Sequence, residues 1–98
     1  MMKNPNIYSV LGHANQFAFD DWWKSVFQSY NSICAVIDWK KQVLTLGKDW
    51  DYSKTTRKHL YAFFQDMGLH SLSCIDDVRN ALKTGKVWDF DIVVDYSL

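Results

Sequence analysis

The feature that most constrains this chain is a change of period. From Gln42 to Leu46 the apolar residues follow a strand pattern, with Val43-Leu44-Thr45-Leu46 closed by Gly47. From Trp50 onward the text reads Trp50-Asp51-Tyr52-Ser53-Lys54-Thr55-Thr56-Arg57-Lys58-His59-Leu60-Tyr61-Ala62-Phe63-Phe64, and Leu60, Phe63, Phe64 and Met67 fall at helical spacing. Residues three and four apart share one helix face, so these four form an apolar stripe that must be buried. A sheet therefore ends and a helix begins near residue 50. Ser53, Thr55 or Thr56 can cap that helix, because a short side-chain oxygen satisfies a first-turn N–H. Gly68 stands where a left-handed residue ends it.

The same reading extends along the chain. Ile7 to Leu11 is a short apolar run, a strand or a helical turn. Gln16 to Phe19 predicts a strand, and Asp20-Asp21-Trp22-Trp23 fits the start of a helix or a turn equally well. Val26 to Tyr30 and Ile33 to Asp38 predict neighbouring strands joined at Asn31-Ser32, a good turn pair. The run Ile33-Cys34-Ala35-Val36-Ile37 predicts a central strand covered on both faces. A second helix is expected from about Cys74 to Lys83, with Ser73 as N-cap and Asp76 and Asp77 favourable near the positive end of the dipole. Ile75, Val78 and Leu82 would be its buried stripe, and Gly85 its end. The last segment alternates: Trp88, Phe90, Ile92, Val94 and Tyr96 one way, Asp89, Asp91, Val93 and Asp95 the other. The order predicts a single α+β domain over residues 1–98, with residues 1–6 as a tail. Its small antiparallel or mixed sheet would hold roughly four or five strands, with two helices packed on one face.

Composition bounds the function. With 98 residues the chain has material for one core. Five Trp, five Tyr and six Phe do not suit a disordered chain. Eleven basic residues balance eleven acidic ones, which argues against a general nucleic-acid binder. No apolar run is long enough to span a bilayer, and the first residues lack a signal peptide's apolar core. A bacterial cytoplasmic setting with reduced cysteines is the expectation.

Several residue sets could carry chemistry or contacts. Lys54, Arg57 and Lys58, with Lys48 upstream, place positive charge at the start of the first helix. That end already offers free N–H groups to an anion; the plainer reading is a solvated helix face. Asp89, Asp91 and Asp95 would form an acidic row with neighbours about 6.6 Å apart along the strand. Such a row suits a basic partner or a second copy, and also suits a charged edge strand that resists unwanted pairing. Trp39, in a predicted turn, is the tryptophan most expected to be exposed and to contact a partner. Metal binding is not expected. His13, His59 and His70 are scattered, and His70 with Cys74 lacks a second ligand pair. Cys34 reads as an inert core thiol; Cys74, at a helix start, has no base or orienting group specified with it. No glycine-rich phosphate loop or nucleophile elbow is present. No cofactor and no enzymatic activity are expected.

Three stretches also carry a resemblance: Ser29-Tyr30-Asn31-Ser32-Ile33-Cys34-Ala35, then Leu44-Thr45-Leu46, then Trp50 to His59 ending at Phe63. Together they resemble a family of small uncharacterised domains found in phages, prophages and mobile elements, with a "WDYS-x-TT-x-K" motif leading from strand to helix. Lys40-Lys41 replaces the Asn-Gly-like turn of that pattern. The resemblance implies a structural corner in which Trp50 and Tyr52 pack and Ser53 or Thr55 caps. It implies a setting rather than an activity: a protein-binding module acting by steric occlusion on a host protein such as a defence nuclease complex, in the manner of anti-CRISPR or anti-restriction proteins. A nucleic-acid-binding accessory protein using the basic helix start is the alternative, and a homodimer is open.

Overall fold

The computed structural model describes residues 6–9, 16–20, 23–30 and 32–98. Their elements run β1 (Asn6–Ser9), β2 (Gln16–Asp20), β3 (Lys24–Ser29), β4 (Ser32–Asp38), β5 (Val43–Gly47), α1 (Lys54–Asp66), α2 (Ile75–Thr84), β6 (Lys86–Val87) and β7 (Phe90–Asp95). One mixed sheet has the order β1-β2-β3-β4-β5-β7-β6. The fold is α+β, as the element order predicted. Five strands of five to seven residues form the body of the sheet. Four-residue β1 and two-residue β6 extend its edges. Neighbours are antiparallel except β5 and β7, which are parallel because the two helices carry the chain back to the end where β5 began.

Asn6 begins β1 rather than ending a tail, and this strand is what the apolar run at Ile7 forms. Leu11 and Gly12 lie outside the described residues, as do Asp21 and Trp22; β2 stops at Asp20 and β3 starts at Lys24. Asn31, half of the predicted turn pair, is outside them too, and its neighbour Ser32 is already in β4.

The core lies between one sheet face and both helices. Phe27, Ala35, Ile37, Leu44, Leu46 and Ile92 point inward and are fully or almost fully buried. They meet Leu60, Phe63 and Phe64 of α1 and Val78 of α2 in one cluster. Phe27 and Phe63 stack at 5.7 Å. Each such side chain contributes about 1.5–3 kcal/mol relative to exposure. The opposite sheet face is open. Val26, Val36, Val43 and Thr45 are only half-buried there, so β4 is covered on one face, not on both as its apolar run suggested. Cys34 is buried next to Ala35 because the β3–β4 register shifts at Phe27/Gln28. A bulge of this kind sets two consecutive residues against one.

The helix ends follow local chemistry. Ser53 caps α1, its hydroxyl accepting from the Thr56 N–H. At the other end Gly68, at φ 85, lets the Leu69 N–H reach the Phe64 carbonyl while its own N–H reaches Gln65. That is the Schellman pattern, and buried Leu69 and Phe64 supply its apolar contact. The cap of α2 is Cys74, not Ser73, and no side-chain bond caps it. Asp77 instead reaches back to accept from both the N–H and the hydroxyl of Ser73. The backbone bond from Ser73, then its hydroxyl, hold the Asp77 carboxyl below the usual carboxylate range.

Candidate functional site

Strand register divides the molecule into two ends. Ser29 of β3 faces Ser32 of β4, and the same end holds Gly47 and the start of α1. Lys24, Asp38, Val43 and Asp91 lie side by side at the other end.

At the first end the chain leaves a cleft of about 440 Å³ lined by Ser29, Tyr30, Ser32, Cys34, Asp49, Tyr52, Ser53, Thr55 and Thr56. Its size suits a small ligand or a partner side chain. Its frame is a hydroxyl network. Ser29 Oγ and Thr56 Oγ1 are 3.0 Å apart and buried, and Ser53 donates to Thr56 Oγ1 at 3.2 Å. These bonds fasten the end of β3 to the first turn of α1. On the other wall Ser32 donates to Asp49 Oδ2 at 3.1 Å, and the Cys34 thiol points at the carbonyls of Ser32 and Asp49. Burial pushes the Cys34 thiol up to about 11; the Ser29 backbone opposes this and the charge of Asp49 adds to it. A thiol in that state is a weak donor and a poor nucleophile at neutral pH.

The lip of the cleft is aromatic. Tyr52 is 79% exposed and Tyr30 is 52% exposed. The expectation that Tyr52 packs into the strand-to-helix corner is therefore overturned, whereas Trp50 is buried in the core, only 6% exposed. Tyr30 holds a left-handed backbone at φ 53, uncommon for a large residue, while Gln28 bonds its carbonyl at 2.7 Å.

The basic residues of the helix start are split by their contacts. Lys48, Lys54 and Lys58 are exposed. Arg57 is half-buried and donates from Nη1 to the Asp51 carbonyl at 3.1 Å, so part of its fork is used in tying α1 to the loop before it. No acidic side chain stands in the first turn of α1.

The other expected contact residues lie elsewhere. Trp39 is only 37% exposed. It sits at the opposite end, its indole N–H donating to Ser25 Oγ at 2.9 Å and its ring in a T-shaped contact with Phe90. Trp88 and Trp23 are more exposed. The acidic row is broken. Trp88 and Asp89 form the two-residue turn between Val87 and Phe90, so Asp89 is not on the strand, and neither Trp88 nor Tyr96 shares its inward face. Asp91 and Asp95 do point to the open face. Asp91 pairs with Lys86. Asp95 accepts from the Ser97 hydroxyl and N–H, which hold its carboxyl below the usual range. Strand β7 is also not a bare edge, since β5 flanks it fully and β6 in part.

Among the described residues no group of three or more His, Cys, Asp or Glu could hold a metal ion. His59 is buried in α1 with Nδ1 2.6 Å from the Thr55 carbonyl, His70 contacts Gln65, and His13 is outside the described residues. No described helix is long and apolar enough to cross a membrane.

All nine cleft residues fall within one matched stretch. The chain belongs to a family of unknown function, DUF8033. The family model matches residues 3–79, which takes in the cleft and the first turn of α2 and leaves out β6 and β7. No curated protein and no solved structure matches the chain. Membership in DUF8033 thus carries the uncharacterised standing that the motif resemblance implied. Asp49 is the cleft residue that no sequence motif singles out. Its pairing with Ser32 depends on a strand and a loop 17 residues apart meeting, for which the local text holds no signal.

Proposed function

We propose that this chain is a non-enzymatic module that binds a protein partner through the lip of the cleft and blocks that partner by covering its surface. The observation that carries this reading is Tyr52, 79% exposed, together with the partly exposed Tyr30, both lining a concavity framed by hydrogen bonds. Exposed aromatics at a concave site supply large contact area and are frequent interface anchors. Lys48, Lys54 and Lys58 form a basic rim beside them, fit for an acidic partner surface. The likeness of the motif to small domains of phages and mobile elements supports a host protein as the partner, with a defence nuclease complex the class in view and the bacterial cytoplasm the setting.

The test is site-specific cross-linking. A photoreactive residue at position 52 should capture one defined protein from a bacterial host lysate, and Tyr30→Ala should remove that product. A product that forms equally well from position 96 would end the idea. The basic helix start also favours a second reading, contact with nucleic acid. In that case a gel shift should weaken steeply with added salt and vanish in a variant carrying Lys48→Glu, Lys54→Glu and Lys58→Glu.

A further inference from the structure

The end of the molecule away from the cleft gathers a different surface. Trp23 lies just before β3, the turn Trp39-Lys40-Lys41-Gln42 joins β4 to β5, and the turn Trp88-Asp89 joins β6 to β7. These are contiguous. The Trp39 backbone N–H bonds the Trp23 carbonyl at 2.8 Å, the Trp39 and Phe90 rings form a T-shaped pair at 5.6 Å, and the Asp91 N–H bonds the Gln42 carbonyl at 3.0 Å.

Three features set this end apart. First, Trp23 is 52% exposed and Trp88 58% exposed. Second, Trp88 sits at φ 52, in a two-residue hairpin turn where Asn or Gly is the usual occupant. A bulky side chain in that backbone is a strained choice. Within one chain the strain gains little burial in return. Third, the patch is rigid: Asp38 accepts from the N–H groups of both Lys40 and Lys41, and the Lys40 ammonium rests 5.0 Å over the Trp23 ring.

Charge chooses the occupant. Asp38 is directed into its own turn, and Asp91 is paired with Lys86. Exposed Lys24, Lys40 and Lys41 lie on the β3–β4 side of the patch and Asp89 on the β6–β7 side, none of them in an ion pair with a described residue. A twofold contact between identical patches brings each side against the opposite side of its mate. We propose that this tryptophan end is a self-association surface. In the resulting dimer Trp23 and Lys40 of one copy pack against Trp88 and Asp89 of the other. A nucleic acid or an anionic membrane would favour one sign of charge here, and the patch carries both.

Sedimentation of the whole chain between about 1 μM and about 1 mM tests it, a range that reads dissociation constants of transient and stable dimers alike. The expected result is a mass that rises to two chains, with tryptophan emission shifting to the blue over the same range. Trp88→Ala should weaken association at least about tenfold, about 1.4 kcal/mol. Lys40→Glu and Asp89→Lys should each weaken it, and the two together should restore it. A folded far-ultraviolet dichroism spectrum qualifies each variant, and Trp23→Ala serves if Trp88→Ala fails to fold. A chain that stays monomeric throughout overturns the proposal. So does a dimer indifferent to these changes, a charge swap that does not restore it, or emission that responds to single-stranded DNA or anionic vesicles in place of concentration.

Discussion

Individual residues show how tightly the cleft end is built. A Cβ placed on Gly47 would stand 1.9 Å from the Ile33 carbonyl oxygen, so only glycine lets β5 run this close to β4 before the chain turns toward α1. Cys34 has a consequence for stability. Its thiol ionises near 11 in the folded chain against 9.0 for a free one. Below pH 9 both states hold the proton and the group is neutral to stability. Between about pH 9 and about pH 11 the unfolded chain loses the proton and the folded chain keeps it, so stability falls as pH rises. The slope is at most about 1.4 kcal/mol per pH unit. Urea unfolding of the parent and of Cys34→Ala across that window should show a steeper decline in the parent. Parallel curves would mean the thiol is not held as described. Tyr61 is the counterexample in this region. Its hydroxyl is shut from solvent and has no partner among the described residues, and burial raises its ionisation.

At the scale of elements, α1 is the piece on which the cleft depends. Its apolar stripe was legible from residue spacing, because Leu60, Phe63 and Phe64 are separated by helical intervals and each is buried. Its cap was narrowed to three hydroxyl residues, of which Ser53 takes the role and Thr56 turns inward to Ser29. Spacing alone could not choose among them, since the choice depends on where β3 ends. Removing the cap hydroxyl in Ser53→Ala frees the Thr56 N–H and deprives Thr56 Oγ1 of one bond. The expected cost is about 1–2 kcal/mol, read as a lowered midpoint in urea with an unchanged slope. Thr55→Ala, which removes an exposed hydroxyl, should change the midpoint by less than about 0.5 kcal/mol. Equal losses at the two positions would show that the cap is shared. For α2 the same local reasoning chose Ser73, and Cys74 is the cap. Asp77 reaches past the cap to Ser73, an exchange that sequence spacing does not distinguish from capping.

Across the whole molecule, the strands separate two surfaces. A strand of five to seven residues spans about 17–23 Å, so Tyr52 and Trp88 are far enough apart to act independently. Stability changes in Tyr52→Ala and Trp88→Ala should add within about 0.5 kcal/mol in the double variant. Tyr52→Ala should also leave the sedimentation of the parent unaltered. A coupling above about 1 kcal/mol would mean that the sheet transmits between its ends. If both proposals hold, a dimer joined at the tryptophan end presents two clefts facing outward, and a bivalent partner would be held far more tightly than a monovalent one.

The chain's own text determined the class of its fold and most of its elements: strands, two helices, then a closing strand, with Leu60, Phe63 and Phe64 of α1 and Phe90 and Ile92 of β7 on the buried faces that period 3.6 and period two predict. Those properties rest on bonds and contacts between residues a few positions apart. Tertiary structure alone decided that β7 lies parallel to β5, that Asp89 leaves the acidic row for a turn, that Tyr52 is in solvent while Trp50 is not, and that nine residues from four segments enclose one cleft. Each of these depends on which strand finds which neighbour after a long loop has closed, and that is fixed by the shared burial of the whole core.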